Sequence, residues 1–108
     1  MVETITAHEL AELMSQGVDV VDVRDAHEWA AAHIAGSRLV PLETLRADPD
    51  AVLSRDNAIV FVCAKGVRSL TAAKLAERFG YARIYNLDGG TNAWARSGLG
   101  LTSEAAAA

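Results

Sequence analysis

Residues 58–62, Ala-Ile-Val-Phe-Val, form the strongest strand signal in the chain, and the run stops abruptly at Cys63-Ala64-Lys65-Gly66 with a helix following at once. Ala72, Leu75, Ala76 and Phe79 fall at helical spacing beyond that turn, and Gly80 stands where the helix should close. A strand that turns straight into a helix implies a layered α/β arrangement, with the sheet covered by its own connections.

The rest of the chain repeats the alternation. Thr6 followed by Glu9 reads as a capping box for a helix over Ala7–Gln16, with Leu10, Leu13 and Met14 on one face and Gly17 as the stop. Val18–Val23 is nearly continuous in valine, interrupted by Asp19 and Asp22, as suits a parallel strand covered on both faces. Asp25 caps a helix over Ala26–Ala32, with Glu28 at the capping-box position and Trp29 as its apolar anchor. A short strand is expected around Arg38–Val40, then a turn or two of helix over Leu42–Arg46, then a loop containing Pro49. Arg83–Leu87 is the last clear strand and Thr91–Ser97 the last helix. This pattern predicts an α/β fold: an open, mostly parallel five-stranded sheet with helices on both faces. At 108 residues the chain fits one domain, assigned to residues 1–101. Residues 102–108 are expected to fray, since nothing in them is large enough to anchor.

With 51% apolar residues and a net charge of -4, the composition is that of a globular core with no basic field for a nucleic acid. Its apolar runs are of strand length, far below the roughly 20 residues that cross a bilayer. Met1–Thr6 carries an acid and alternates in polarity, unlike a secretory or transit leader. The single cysteine forbids an internal disulfide, and a cytoplasmic location is expected. No second cysteine and no histidine pair at ligand spacing supports a metal site, and no cofactor is expected.

Cys63 is the candidate nucleophile. In open parallel sheets ligands sit beyond the carboxyl ends of the strands, and Cys63 ends the strand expected to be central. The loop Ala64, Lys65, Gly66, Val67, Arg68 leads directly into a helix, so its N–H groups can converge on one point with the helix dipole behind them. Gly66 supplies backbone freedom, Ser69 is expected to cap the helix, and Lys65 and Arg68 can add charge-assisted hydrogen bonds to an anion. Lowering the thiol pKa raises the thiolate fraction but reduces its intrinsic nucleophilicity, so ionisation alone brings little. The larger effect expected of the loop is to hold an anion and to stabilise the terminal sulfur of a cysteine persulfide, in the manner of an oxyanion hole.

The chain resembles the rhodanese family through Asp22-Val23-Arg24 on a strand, Glu28, His33-Ile34 with Gly36, the loop from Cys63 to Ser69, and Gly89-Gly90 followed by Trp94. That resemblance covers nearly the whole chain and implies a rhodanese-like three-layer fold and a thiosulfate sulfurtransferase. In such an enzyme the cysteine takes a sulfane sulfur from a small anionic donor such as thiosulfate and passes it to cyanide or a thiol acceptor. It implies Cys63 as catalytic residue and Ala64–Arg68 as the persulfide cradle. Three scaffold positions depart from the family pattern: Ala32 where glycine is usual, Ala35 where proline is usual and Leu39 where asparagine is common.

At several positions a structural role is expected instead of a catalytic one. Asp22 and Arg24 are expected to pair and fix the turn, not to act as acid and base, and His33 to make a structural hydrogen bond. Three other functions remain open: a non-catalytic interaction module, a sulfur carrier in a relay with a partner protein, and a cysteine phosphatase or arsenate reductase. The phosphatases place five residues between cysteine and arginine, whereas four separate Cys63 from Arg68.

Overall fold

The computed structural model describes residues 1–107. Five strands are described: β1 (Val2–Ile5), β2 (Asp19–Asp22), β3 (Arg38–Leu39), β4 (Ile59–Val62) and β5 (Ile84–Leu87). They join in the order β1-β5-β4-β2-β3 with every pairing parallel, so the expected five-stranded α/β sheet is present and β4 is its middle strand. The sequence reading locates four of these strands; the fifth, β1, forms the edge beside β5.

The helices are α1 (Ala7–Ser15), α2 (Ala26–Ala31), α3 (Leu42–Ala47), α4 (Pro49–Val52), α5 (Val67–Arg78), α6 (Gly90–Arg96) and α7 (Glu104–Ala107). α1 and α2 both begin with complete capping boxes, Thr6 with Glu9 and Asp25 with Glu28. Three expectations are corrected. Pro49 opens a short helix where a loop is expected, because proline at the first helical position has no N–H to leave unpaired. Phe79 lies beyond the last turn of α5 and is 47% exposed, while Ala72, Leu75 and Ala76 carry the buried face. The tail is tied down at Thr102, which exchanges two 2.8 Å backbone hydrogen bonds with His33 in an antiparallel bridge.

Successive strand residues point to opposite faces, and β4 shows the consequence. Ile59 and Phe61 join Val21, Leu45, Ala72 and Ala76 on one side of the sheet; Val60 and Val62 join Val20, Leu10, Ile34 and Trp94 on the other. All four β4 side chains are buried, each worth about 1.5–3 kcal/mol, which makes β4 the centre of the core on both faces of the sheet. Cys63 continues the phase of Ile59 and Phe61. Its side chain therefore emerges on the α5 side, beneath the start of that helix.

Candidate active site

Because Cys63 ends the middle strand in that phase, the turn to α5 has to fold back over its sulfur. Gly66 makes this possible with φ of +99°, and it stands as the N-cap of α5 with no side-chain cap. Its N–H donates to Cys63 Sγ at 3.1 Å, and the Ser69 N–H, one turn into the helix, donates at 3.3 Å. Amides that a side chain would normally satisfy at a helix start are here aimed at sulfur. Ser69 does not cap the helix, because α5 begins two residues before it; its hydroxyl instead lies 3.3 Å from Sγ.

α6 holds the turn from the other side. Thr91 N–H donates to the Cys63 carbonyl at 2.8 Å and Asn92 N–H to the Ala64 carbonyl at 3.1 Å. In a trans peptide C=O and N–H point in opposite directions, so anchoring the Ala64 carbonyl on α6 turns the Lys65 N–H back toward the sulfur. Gly90 lets the two elements meet this closely. A Cβ there would lie 2.1 Å from the Cys63 carbonyl oxygen and 2.6 Å from the Ala64 carbonyl carbon and oxygen.

Cys63 is only 1% exposed, yet its sulfur is covered by amides and a hydroxyl and not by hydrocarbon alone. Burial pushes the thiol pKa up, while the Ser69 hydroxyl and the N–H groups of Ser69, Gly66 and Lys65 pull it down, and the result lies below the ordinary value. Of the loop that covers the sulfur, Lys65 and Val67 are exposed.

The two loop cations differ. Arg68 is held by Glu28 in a bidentate pair, 2.7 and 2.9 Å, whereas exposed Lys65 has no ion-pair partner among the described residues. The pair with Arg68 holds the Glu28 carboxyl at about 2, and that with Glu28 raises Arg68 further above its already high value. Glu28 thus completes the α2 capping box and also clamps the loop's arginine.

The other expected residues form the frame. Asp22 accepts the Arg24 backbone N–H at 3.0 Å and its guanidinium at 2.8–3.1 Å, and the same guanidinium reaches the Ala32 carbonyl at 2.7 Å. Ala32 itself is extended, with φ of -162°, so the glycine usual there is not required. The His33 ring stacks on Trp29 at 3.7 Å and its Nδ1 lies 2.6 Å from the Trp29 carbonyl, which can only accept. Nδ1 therefore carries the proton, and the hydrogen bonds of His33 go to Trp29 and Thr102, not to Cys63.

Asn86 is a site neighbour that no sequence motif marks. It lies on β5 beside Phe61, accepts the Ser69 hydroxyl at 2.6 Å through Oδ1 and donates to the Gly66 carbonyl at 3.2 Å through Nδ2. The only available signal was a carboxamide inside an otherwise apolar strand. Among the described residues no group of three or more metal-ligating side chains occurs, and no helix is long and apolar enough to cross a membrane.

A cysteine at the carboxyl end of a central parallel strand, under a converging ring of amides, defines a class of α/β cysteine site. The sequence profile of the rhodanese-like domain matches residues 6–97, and the chain belongs to the rhodanese family. It is 35% identical over 92 residues to the thiosulfate sulfurtransferase GlpE of Pseudomonas aeruginosa, covering 85% of this chain and 83% of GlpE. It is also 35% identical over 96 residues to the probable adenylyltransferase/sulfurtransferase MoeZ of Mycobacterium tuberculosis, covering 86% of this chain but spanning only 24% of MoeZ. Among solved structures, a rhodanese-related protein from Thermoplasma volcanium superposes with a TM-score of 0.83 at 30% identity, covering 93% of this chain and 97% of the other.

Proposed function

We propose that the protein is a sulfurtransferase that carries sulfane sulfur on Cys63. The observation that carries this reading is the convergence of the Gly66 and Ser69 amides on the sulfur of the chain's single cysteine, at the uncapped start of α5. The similarity to GlpE supports thiosulfate as donor. The Cys63 thiolate attacks the outer sulfur of thiosulfate, a new S–S bond forms, and the old one breaks with its electron pair leaving on sulfite. The negative charge then rests on the terminal sulfur of the persulfide, about 2.05 Å beyond Sγ. Cyanide or a thiolate acceptor attacks that sulfur, and Cys63 leaves as thiolate.

A doubly negative donor needs a cation that is not already neutralised. Lys65 meets this condition, while Arg68 meets it only by leaving Glu28. Lys65 is therefore assigned to hold the departing sulfite group and Ala64–Arg68 to supply the amide cradle.

Intact mass spectrometry after mixing with thiosulfate should show the gain of one sulfur, lost again on adding cyanide, with thiocyanate released in steady state. Cys63→Ser should abolish both. Hydrolysis of an aryl phosphate without sulfur transfer would replace this reading with the phosphatase one, and the absence of both activities would favour an interaction module. Sulfur loading that discharges only to another protein would favour the relay carrier.

A further inference from the structure

The hydrogen bonds around Cys63 close into a ring that includes a residue without an assigned role. Gly66 N–H donates to Sγ, the Gly66 carbonyl accepts from Asn86 Nδ2, Asn86 Oδ1 accepts the Ser69 hydroxyl, and that hydroxyl oxygen lies 3.3 Å from Sγ. Ser69 and Asn86 are both buried, so no water readily substitutes for a missing partner. The Gly66 carbonyl can only accept, which orients the amide with Nδ2 toward Gly66 and Oδ1 toward Ser69.

A hydroxyl carries one proton. With that proton on Asn86 at 2.6 Å, Ser69 Oγ offers Sγ only a lone pair, which suits a thiol that donates its own hydrogen. It suits a bare thiolate less, because the anion, which already accepts from the Gly66 and Ser69 amides, gains from a further donor and not from a lone pair. A hydrogen bond to an anion is stronger than one to a neutral amide oxygen, so ionisation should draw the Ser69 proton to sulfur and leave Asn86 Oδ1 buried without a partner. When Cys63 carries a second sulfur the charge sits on the outer atom, Sγ is neutral again, and the proton can return.

We propose that Asn86 is a positioning residue that reserves the Ser69 hydroxyl proton while Sγ is protonated or sulfurated, and yields it only to the bare thiolate. Its effect is to disfavour the empty thiolate relative to the loaded persulfide. The persulfide half of this statement rests on the sulfur-transfer reading; the thiol–thiolate half does not.

The test is a double-mutant cycle of Asn86→Ala and Ser69→Ala, read as the pH profile of alkylation of the single cysteine in the absence of any donor. The charged groups around the loop, Arg68 on α5 with Glu28 on α2 and its N-cap Asp25, Lys65 in the loop and the Asp22–Arg24 pair ending β2, are common to all four proteins and drop out of the cycle. With Ser69 present, Asn86→Ala should free the hydroxyl for sulfur, move the profile to lower pH and raise the rate below the midpoint about threefold. In the Ser69→Ala background it should not. Equal effects in both backgrounds would overturn the proposal, because Asn86 would then act only by holding Gly66.

Should Asn86→Ala fail to fold, the side-chain amide resonances of Asn86 in the otherwise unaltered protein and in Ser69→Ala give the same answer. They should follow Cys63 ionisation in the first and not in the second; following it equally in both would overturn the proposal. On loading with thiosulfate the resonances should return to their thiol-state positions. Persulfide formation with the resonances still at their thiolate positions would refute the persulfide half, whereas failure to form persulfide would count against the sulfur-transfer reading and leave the pH result standing.

Discussion

Two strand-to-helix turns leave the same end of the sheet side by side, since Asp22 at the end of β2 is in register with Val62 at the end of β4. They satisfy their helix starts in opposite ways. At α2 the Asp25 carboxylate accepts the Glu28 N–H at 2.9 Å and Glu28 reaches back to the Asp25 N–H at 3.3 Å, while Asp22 occupies Arg24. At α5 the N-cap is Gly66, no side chain caps the helix, and the amides go to a sulfur atom instead. The first turn is complete in itself. The second depends on Cys63, whose sulfur takes the place of the missing side-chain cap and leaves the helix start favourable to a negative charge there.

The largest expected effect comes from disturbing the second turn where α6 clamps it. Gly90→Ala would force a Cβ into the Cys63 and Ala64 carbonyls, and the backbone there is left-handed as well, with φ of +59°. No flexible side chain can yield, because the obstructing atoms are backbone. A loss above about 3 kcal/mol in chemical denaturation, with sulfur loading and Cys63 alkylation both collapsing, is the expected outcome. A Gly90→Ala protein of near-parental stability and unchanged alkylation would show that the cradle does not depend on α6.

A smaller effect is expected at the self-contained turn. Asp25→Ala removes a side-chain cap worth about 1 kcal/mol, so thermal melting should drop by roughly 4–8 °C. The alkylation rate of Cys63 should stay within about twofold of the parent, a margin corresponding to under half a kcal/mol. Sulfur reactivity falling in step with stability would mean that the two turns act as one unit.

The same contrast explains what could be read in the sequence. Both capping boxes are contacts between residues three apart, and the position of Cys63 follows from the run at 58–62 and its phase, so these were legible. The Arg68–Glu28 clamp spans 40 residues and the Ser69–Asn86 bond 17, and no local pattern encodes a partner at such range. Ser69 reads as a cap because a serine near a helix start usually is one; the helix begins earlier because left-handed Gly66 already starts it. Gly90 is visible as half of Gly89-Gly90, but the backbone it accommodates belongs to Cys63 and Ala64, in the turn after β4 and 26–27 residues away in sequence. The tail looked unanchored because its tie to His33 is made by the backbone of Thr102, whose hydrogen bonds depend on no side-chain pattern.

The smallest expected effect tests the one side chain that joins the two turns. Glu28 belongs to the first through its capping box and to the second through Arg68, and the Arg68 hydrogen bonds are the main cause holding its carboxyl at about 2 instead of 4.5, against the opposing effect of burial. A carboxyl depressed in the folded state stabilises fully above its unfolded value and loses that contribution as pH falls through the folded one. The melting difference between the parent and Glu28→Gln should thus be constant near neutrality, shrink below about pH 4.5 and vanish below about pH 2. Its size should be modest, under about 1 kcal/mol, because both side chains are partly exposed and screened. The functional consequence runs the other way: once Arg68 is released it becomes a second free cation beside Lys65, so Glu28→Gln should lower the KM for thiosulfate several-fold with little change in kcat. A raised KM would mean instead that Arg68 serves the donor from within the clamp, and that the neighbouring turn contributes directly to the site.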